Sequence, residues 1–313
     1  MDCKTISPCA EIDLHIHSTA SDGTFTPCEI LDLAVQQNLK AISITDHDTL
    51  AGAQEVLMHG IPSSLNFLTG VEISAEPPPF FGLSGSLHIL GYGVVPGNAD
   101  LDSALTMLQH ARQDRNPAII KCLNQLNIDI SLTEVIDNTG HHQIARPHIA
   151  TLLVKKKYVD SIDEAFNRYL GTGRPAYVDK YRISSSRAIE LISGAGGIPV
   201  LAHPILIDVK NTGQFEKLTK VLISMGLRGL EVYYPEHSIE DTIYYYNFCQ
   251  EQNLLITGGS DFHGAIKPDI QMGTGRGNLA IPFAIFETLI KAFDLPAAKF
   301  NNSSFSTTYK IKP

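Results

Sequence analysis

Nine side chains carry the most distinctive chemistry in this chain: His15, His17, Asp22, His47, Glu72, His88, His203, Asp261 and His263. Six of the 12 histidines belong to this set, a concentration that scattered surface histidines would not produce. The first two lie in EIDLHIH, Glu11 to His17. Alternation there turns Ile12, Leu14 and Ile16 to one face of a strand and Asp13, His15 and His17 to the other. Imidazoles two apart on a strand point the same way and can grip one metal ion. Imidazole and carboxylate without thiolate suit zinc, manganese or iron. Nine donors exceed what one zinc needs, so the spacing predicts a polynuclear centre. Metals roughly 3.5–4 Å apart hold a bridging hydroxide, the pKa of bound water falling to about 7. They also neutralise phosphoester oxygens as charge shifts in the transition state. That chemistry is hydrolysis, and the donors alone leave phosphoester and amide substrates both open. Asp13 and Asp46 sit beside histidines, and we assign them to fixing imidazole tautomers, the alternative being that they accept strand-end hydrogen bonds.

Such donors need a frame that gathers distant residues. Strands are predicted over Glu11–His17, Ala41–Thr45, Asn66–Ile73, Leu87–Gly91, Ile198–Ala202, Leu230–Tyr233 and Leu254–Thr257. Helices intervene, the first starting at Thr26-Pro27-Cys28-Glu29 with Pro27 at its first position. This alternation implies a largely parallel sheet or barrel. Every donor falls at or beside the C-terminal end of a predicted strand, and in a (β/α) barrel those ends share one rim. The junction after Leu230–Tyr233 is the weakest of the seven. Between about Leu101 and Tyr177 the rhythm gives way to helical spacing, with Pro117 separating two helices. We read a barrel over residues 11–100 and 181–300, interrupted by a small all-helical insertion over 101–180, and an irregular tail to Pro313.

Bulk properties narrow the choices. With 43% hydrophobic and 18% charged residues in 313, the chain is of folded, soluble character. Its apolar runs are too short to span a bilayer, and Met1–Ala10 lacks the basic and apolar regions of a secretory signal. Five cysteines, odd in number and without C-x-x-C spacing, argue against a disulfide framework and suit a reducing cytoplasm. A net charge of −9, with Lys155-Lys156-Lys157 the only basic run, argues against a grip on long nucleic acid. A small anion held by metal and a few arginines fits. The stretch Glu76–Gly85, with Phe80 and Phe81, reads as a stiff flap or a variable rim loop.

The motifs HIHSTASDG (His15–Gly23), TDHD (Thr45–Asp48), GVEIS (Gly70–Ser74), HILGY (His88–Tyr92), AHP (Ala202–Pro204) and GSDFHG (Gly259–Gly264) resemble, in order, those of the polymerase-and-histidinol-phosphatase (PHP) family. ARPHIA (Ala145–Ala150) and GTGRPAYV (Gly171–Val178) are further similar to its nucleoside 3′,5′-bisphosphate phosphatases, some of which act as 5′-to-3′ exonucleases on short RNA. The resemblance implies a distorted (β/α)7 barrel of α/β class with two or three divalent ions, manganese ahead of zinc or iron. His15, His17, Glu72 and Asp261 would hold one ion; Glu72, His88 and His203 a second; Asp22, His47 and His263 a third. Asp22 stands where other branches have histidine, which weakens the third. Catalytic positions fall on Asp22, His203 and His263, and substrate phosphate contacts on Arg146 and His148, helped by Arg174. Arg112 and Arg115 stay ambiguous. The implied substrate is a small phosphorylated nucleotide or short RNA. Rival readings are an amidohydrolase-type C–N hydrolase, which would lack a strand-end lysine to bridge metals and leave the arginines idle, and a catalytically inactive binding module.

Overall fold

In the computed structural model, which describes residues 10–83, 87–139 and 144–293, three strands open the chain in parallel: β1 (Ile12–Ile16), β2 (Ala41–Ile44) and β3 (Asn66–Glu76). Next, β4 (Leu87–Tyr92) lies antiparallel to β3 and to β6 (Ile198–Leu201). Parallel pairing then resumes through β7 (Gly229–Tyr233) and β8 (Leu255–Gly258). A short strand with no forerunner in the sequence reading, β5 (Ile183–Ser184), pairs with the end of β3 at Ala75 and Glu76. The sheet curls in the order β1-β2-β3-β4-β6-β7-β8, with helices outside it. Its two edges meet at a bridge between Ile16 and Phe262.

The seam is tight. A Cβ on Gly259 would stand 2.3 Å from the backbone nitrogen of His15. Gly259→Ala must therefore push β1 away from the β8 loop. Such overpacking costs typically about 1–3 kcal/mol, and a lower thermal-unfolding midpoint would register it.

Local chemistry fixes the helices. α1 (Pro27–Gln36) starts on a capping box of Thr26 and Glu29 with Pro27 at its first position. α2 (Ala51–His59) follows β2. α3 runs unbroken from Ala99 to Gln125, so Pro117 does not divide it. Pro117 is exposed, and the residues on either side of it are anchored: Leu101, Leu105 and Leu108 pack with the sheet, Ile119, Ile120 and Leu123 in a second apolar cluster. That packing offsets the interior-proline penalty of about 3 kcal/mol. The second cluster collects α4 (Leu132–Thr139), α5 (Arg146–Lys155), α6 (Ile162–Ala165) and the π-helical turn Phe166–Leu170 that continues it. α7 (Ser185–Gly194), α8 (Thr212–Ser224), α9 (Ile239–Gln252) and α10 (Phe283–Lys291) return to the sheet. No helix among the described residues is long and apolar enough to cross a membrane. The readings for Met1–Cys9, for residues 84–86 of the Pro-rich stretch and for the tail to Pro313 lie outside the described residues.

Candidate metal centre

All nine candidate donors reach one rim, though not all from strand ends. β3 is longer than the sequence suggests and carries Glu72 in mid-strand. His88 stands at the start of β4, because that strand runs backwards and brings its N-terminal end to the rim. The reversal is invisible to residue alternation, which has no direction.

Glu72 is the hub. Its Oε1 lies 2.7 Å from His88 Nδ1 and 2.9 Å from His203 Nε2. Its Oε2 lies 3.0 Å from His47 Nδ1, 3.2 Å from His17 Nε2 and 3.4 Å from His15 Nε2. Asp261 Oδ1 is 3.2 Å from His17 Nε2 and 3.6 Å from His15 Nε2, while Asp22 Oδ1 is 3.4 Å from His263 Nε2. Four overlapping groups could each hold an ion: His17 with Asp22, His47 and His263; His15 with Glu72 and His203; His15 with His17 and Asp261; His47 with Glu72 and His88. His17 thus sits with the Asp22 group as well as with His15, a sharing the motifs did not suggest.

Electrostatics explain why such a cluster asks for cations. Burial disfavours charge on His15, yet Glu231, Glu72 and Asp261 outweigh it and hold its pKa well above the usual histidine range. His17 is likewise opposed by burial but raised to about 9 by Asp261 and Glu72. His47 goes the other way, burial taking it down to about 4. Burial would raise the pKa of Glu72, but His47, His88 and His15 pull it well below the carboxylate range. Carboxylates that favour protons on these rings favour divalent cations in their place. His15 Nε2, both ring nitrogens of His17, Asp22 Oδ1, Glu72 Oε2 and His203 Nδ1 are buried without a hydrogen-bond partner among the described residues. Buried polar groups are rarely left so, and donors orphaned together fit a metal cluster.

The shell behind the donors differs from the expectation for Asp13 and Asp46. Neither accepts from an imidazole nitrogen. Asp46 takes hydrogen bonds from Ser18 N at 2.7 Å and from the Ser18 and Ser21 hydroxyls at 2.6 Å, anchoring the loop that presents Asp22. Asp13 accepts from Ser260 N at 2.9 Å and Gly273 N at 2.7 Å, anchoring the loop that presents Asp261. Both are strand-end acceptors. The tautomer of His15 is set instead by Glu231, whose Oε1 lies 2.9 Å from its Nδ1 and whose Oε2 accepts from His203 N at 2.7 Å. Sequence reasoning missed Glu231, which lies in the strand whose following junction it rated weakest. The available signal was a carboxylate in the apolar run Gly229-Leu-Glu-Val232. Tyr234 Oη and Lys267 Nζ donate to Asp261 Oδ2 at 3.0 and 2.7 Å. Three non-glycine residues at the rim hold positive φ, namely Asp48 at 55°, His203 at 25° and Asp261 at 54°, a strain typical of functional sites. Glu231→Gln should weaken metal binding about 10–100-fold with the fold intact, as second-layer changes usually do, and metal titration by calorimetry reads this directly.

Around Asp48, next to His47, lies a cluster of basic side chains. Arg112 and Arg115 on α3 are buried, and Arg112 Nη2 and Lys180 Nζ approach Asp48 Oδ2 at 2.7 and 3.0 Å. Arg182 pairs with Asp179. Arg115 keeps Nε and Nη2 without a partner among the described residues. Burial and the nearby Arg112, Arg146 and Arg182 push its pKa down to about 9, while burial and Arg112 take Lys180 to about 7. Arg146 donates to Leu170 O at 3.0 Å and lies over the rings of Phe166 and Tyr177. His148 is buried and its Nδ1 accepts from Ala145 N at 3.0 Å. Arg174 stands exposed on the following turn. In the Pro-rich stretch, Phe80 is exposed and Phe81 packs against the sheet cluster.

Residues 13–172 match the PHP domain model. The chain is 32% identical over 257 residues to a 3′,5′-nucleoside bisphosphate phosphatase of Chromobacterium violaceum, across 81% of this chain and 87% of the relative. It is 30% identical over 252 residues to a 5′-3′ exoribonuclease of Haemophilus influenzae, across 80% and 89%. A solved structure described as an amidohydrolase from Chromobacterium violaceum, with bound sulfate and no metal, superposes with a TM-score of 0.79 at 30% identity. That match covers 91% of this chain and 97% of the other.

Proposed function

Because this chain belongs to the PHP family and is a hydrolase of phosphoesters, we propose that it removes the 3′-phosphate from nucleoside 3′,5′-bisphosphates. The observation that carries this reading is Arg115: a buried guanidinium with two donors unpartnered among the described residues, near Arg112, whose partner Asp48 adjoins the metal-donor candidate His47. A hydrolytic centre alone needs one anion site, whereas a second built beside it suits a substrate with two phosphates.

In this reading the helical residues 101–180 serve substrate binding. Arg115 and Arg146, with His148 beside them and Arg174 at the margin, take the phosphate that is not cleaved, since guanidinium forks match phosphate oxygens. Lys180 and Arg112, braced on Asp48, add positive charge without leaving the pocket wall. The nine donors, assigned to two or three ions of manganese, zinc or iron, face the reacting phosphate, with Asp22, His203 and His263 in contact with it. Bound, those ions supply Lewis acidity and a nucleophile drawn from water. Glu231 keeps His15 Nε2 turned inward, and Lys267 with Tyr234 holds Asp261 in place. Cys28, Cys122 and Cys249 are free thiols, in keeping with work in the cytoplasm.

Adenosine 3′,5′-bisphosphate tests the reading. Mn²⁺-dependent release of phosphate with adenosine 5′-phosphate as the other product is expected, and no release with or without Mn²⁺ overturns it. The second reading, a 5′-to-3′ exonuclease, is favoured by the exoribonuclease relative. It predicts faster turnover of 5′-phosphorylated di- to pentanucleotides than of the bisphosphate.

A further inference from the structure

A cleft of about 550 Å³ opens beside Asp261 and is used by none of the groups assigned above apart from that residue's edge and its two hydrogen-bond donors. Its size falls within the roughly 300–1,000 Å³ of small-molecule sites. One wall is helical and largely apolar: Pro147, Ile162 and Phe166. Phe166 opens the π-helical turn, and the Arg146 guanidinium lies over its ring, 5.6 Å from the centroid. The lining also includes Tyr234, whose hydroxyl donates to Asp261, and Asp261 itself, so the cleft borders the donor cluster.

The charges of the cleft are informative. Asp163, Glu236 and Asp269 line it, against Lys267 and Arg276. Lys267 is committed to Asp261, and Arg276 to Asp269 at 3.1 Å and, more loosely, to Glu236 at 4.0 Å. What is left is an aromatic and aliphatic wall with carboxylate oxygens in excess of the cations. Such a surface accepts an uncharged, flat, hydrogen-bond-donating group and repels a phosphodiester. Arg146 joins the two regions, since it touches Phe166 on one side and Tyr177, in the basic cluster, on the other.

We propose that this cleft is the binding site for the nucleoside moiety of the substrate, its base against Phe166 and its carboxylates excluding a continued nucleotide chain. The proposal names where the uncharged half of the substrate goes, and so rests on the phosphoesterase reading for the charged half. Its test does not need that reading.

The chain contains no tryptophan, so 2-aminopurine riboside, which has no phosphate, can be titrated into metal-free protein and followed by its own fluorescence. Saturable quenching, reversed by adenosine and not by ribose, is expected. Base–aromatic stacking is worth about 1–3 kcal/mol, so Phe166→Ala should weaken the affinity roughly tenfold. Phe166→Leu retains apolar volume without a flat ring; it should weaken binding likewise and guards against loss of the π-turn in the alanine variant. Glu236→Lys, at an exposed position, should raise the affinity of a 2-aminopurine dinucleotide relative to the riboside. Absence of quenching with the wild-type chain overturns the proposal. So does quenching that both Phe166 variants leave unchanged while circular dichroism matches wild type. Failure of the phosphoesterase reading is seen separately, in phosphate release.

Discussion

Glu72→Gln is expected to lower both metal content and turnover by more than about a hundredfold. Outer partners of metal ligands already cost about 10–100-fold when changed. Glu72 is no outer partner. Its two oxygens lie 2.7–3.4 Å from ring nitrogens of His88, His203, His47, His17 and His15, which span all four candidate ion groups. Glutamine preserves the volume but offers one neutral oxygen and an amide that donates where a cation is wanted. Inductively coupled plasma analysis of the purified variant reads the metal, and phosphate release reads turnover. Full metal and wild-type turnover in Glu72→Gln would remove the hub assignment and the polynuclear centre with it.

Arg115→Met is expected to separate activity from stability in opposite directions. A buried guanidinium with Nε and Nη2 unpaired opposes folding, and Arg112, Arg146 and Arg182 nearby add repulsion. Methionine fills the space without either cost, so the unfolding midpoint should hold or rise. Hydrogen bonds to a charged group contribute about 1.5–3 kcal/mol, and kcat/KM for the 3′,5′-bisphosphate should fall roughly 10–150-fold. Adenosine 3′-phosphate, which has nothing for Arg115 to hold, should lose little. A variant that unfolds earlier and cleaves both substrates as before would make Arg115 a packing residue and remove the second anion site.

Much of this was legible in the residues. The donor set meets because an alternating fold brings most strand ends and their following loops to one rim, with Glu72 joining them from mid-strand, and alternation is written in the sequence. What escaped depended on direction or on partners. The pattern LHILG reads alike in either orientation, so the reversal of β4 had no signature. Pro117 reads as a helix break unless both flanks are known to be buried. Asp46 adjoins His47 and Asp13 shares a strand face with His15, but both carboxylates turn to loop nitrogens and hydroxyls instead of ring nitrogens. Glu231 comes in from a strand more than two hundred residues away from His15. The basic cluster was hardest, because an arginine's worth depends on whether tertiary structure supplies a carboxylate, and for Arg115 none pairs with it among the described residues.

The backward run of β4 reaches beyond His88. It leaves the chain at Tyr92 on the far side of the sheet, so α3 must climb the full height to regain the rim. At about 1.5 Å per residue its 27 residues span ~40 Å, and Arg112 and Arg115 sit where the rod passes from one apolar cluster to the other. Gripped above and below, the rod works as a gauge block: the gap between guanidinium and metal donors is machined into the scaffold rather than adjusted by each guest. If the proposed function holds, molecules whose two anionic ends match that gap should engage both, and positional isomers such as 2′,5′-bisphosphates should miss one.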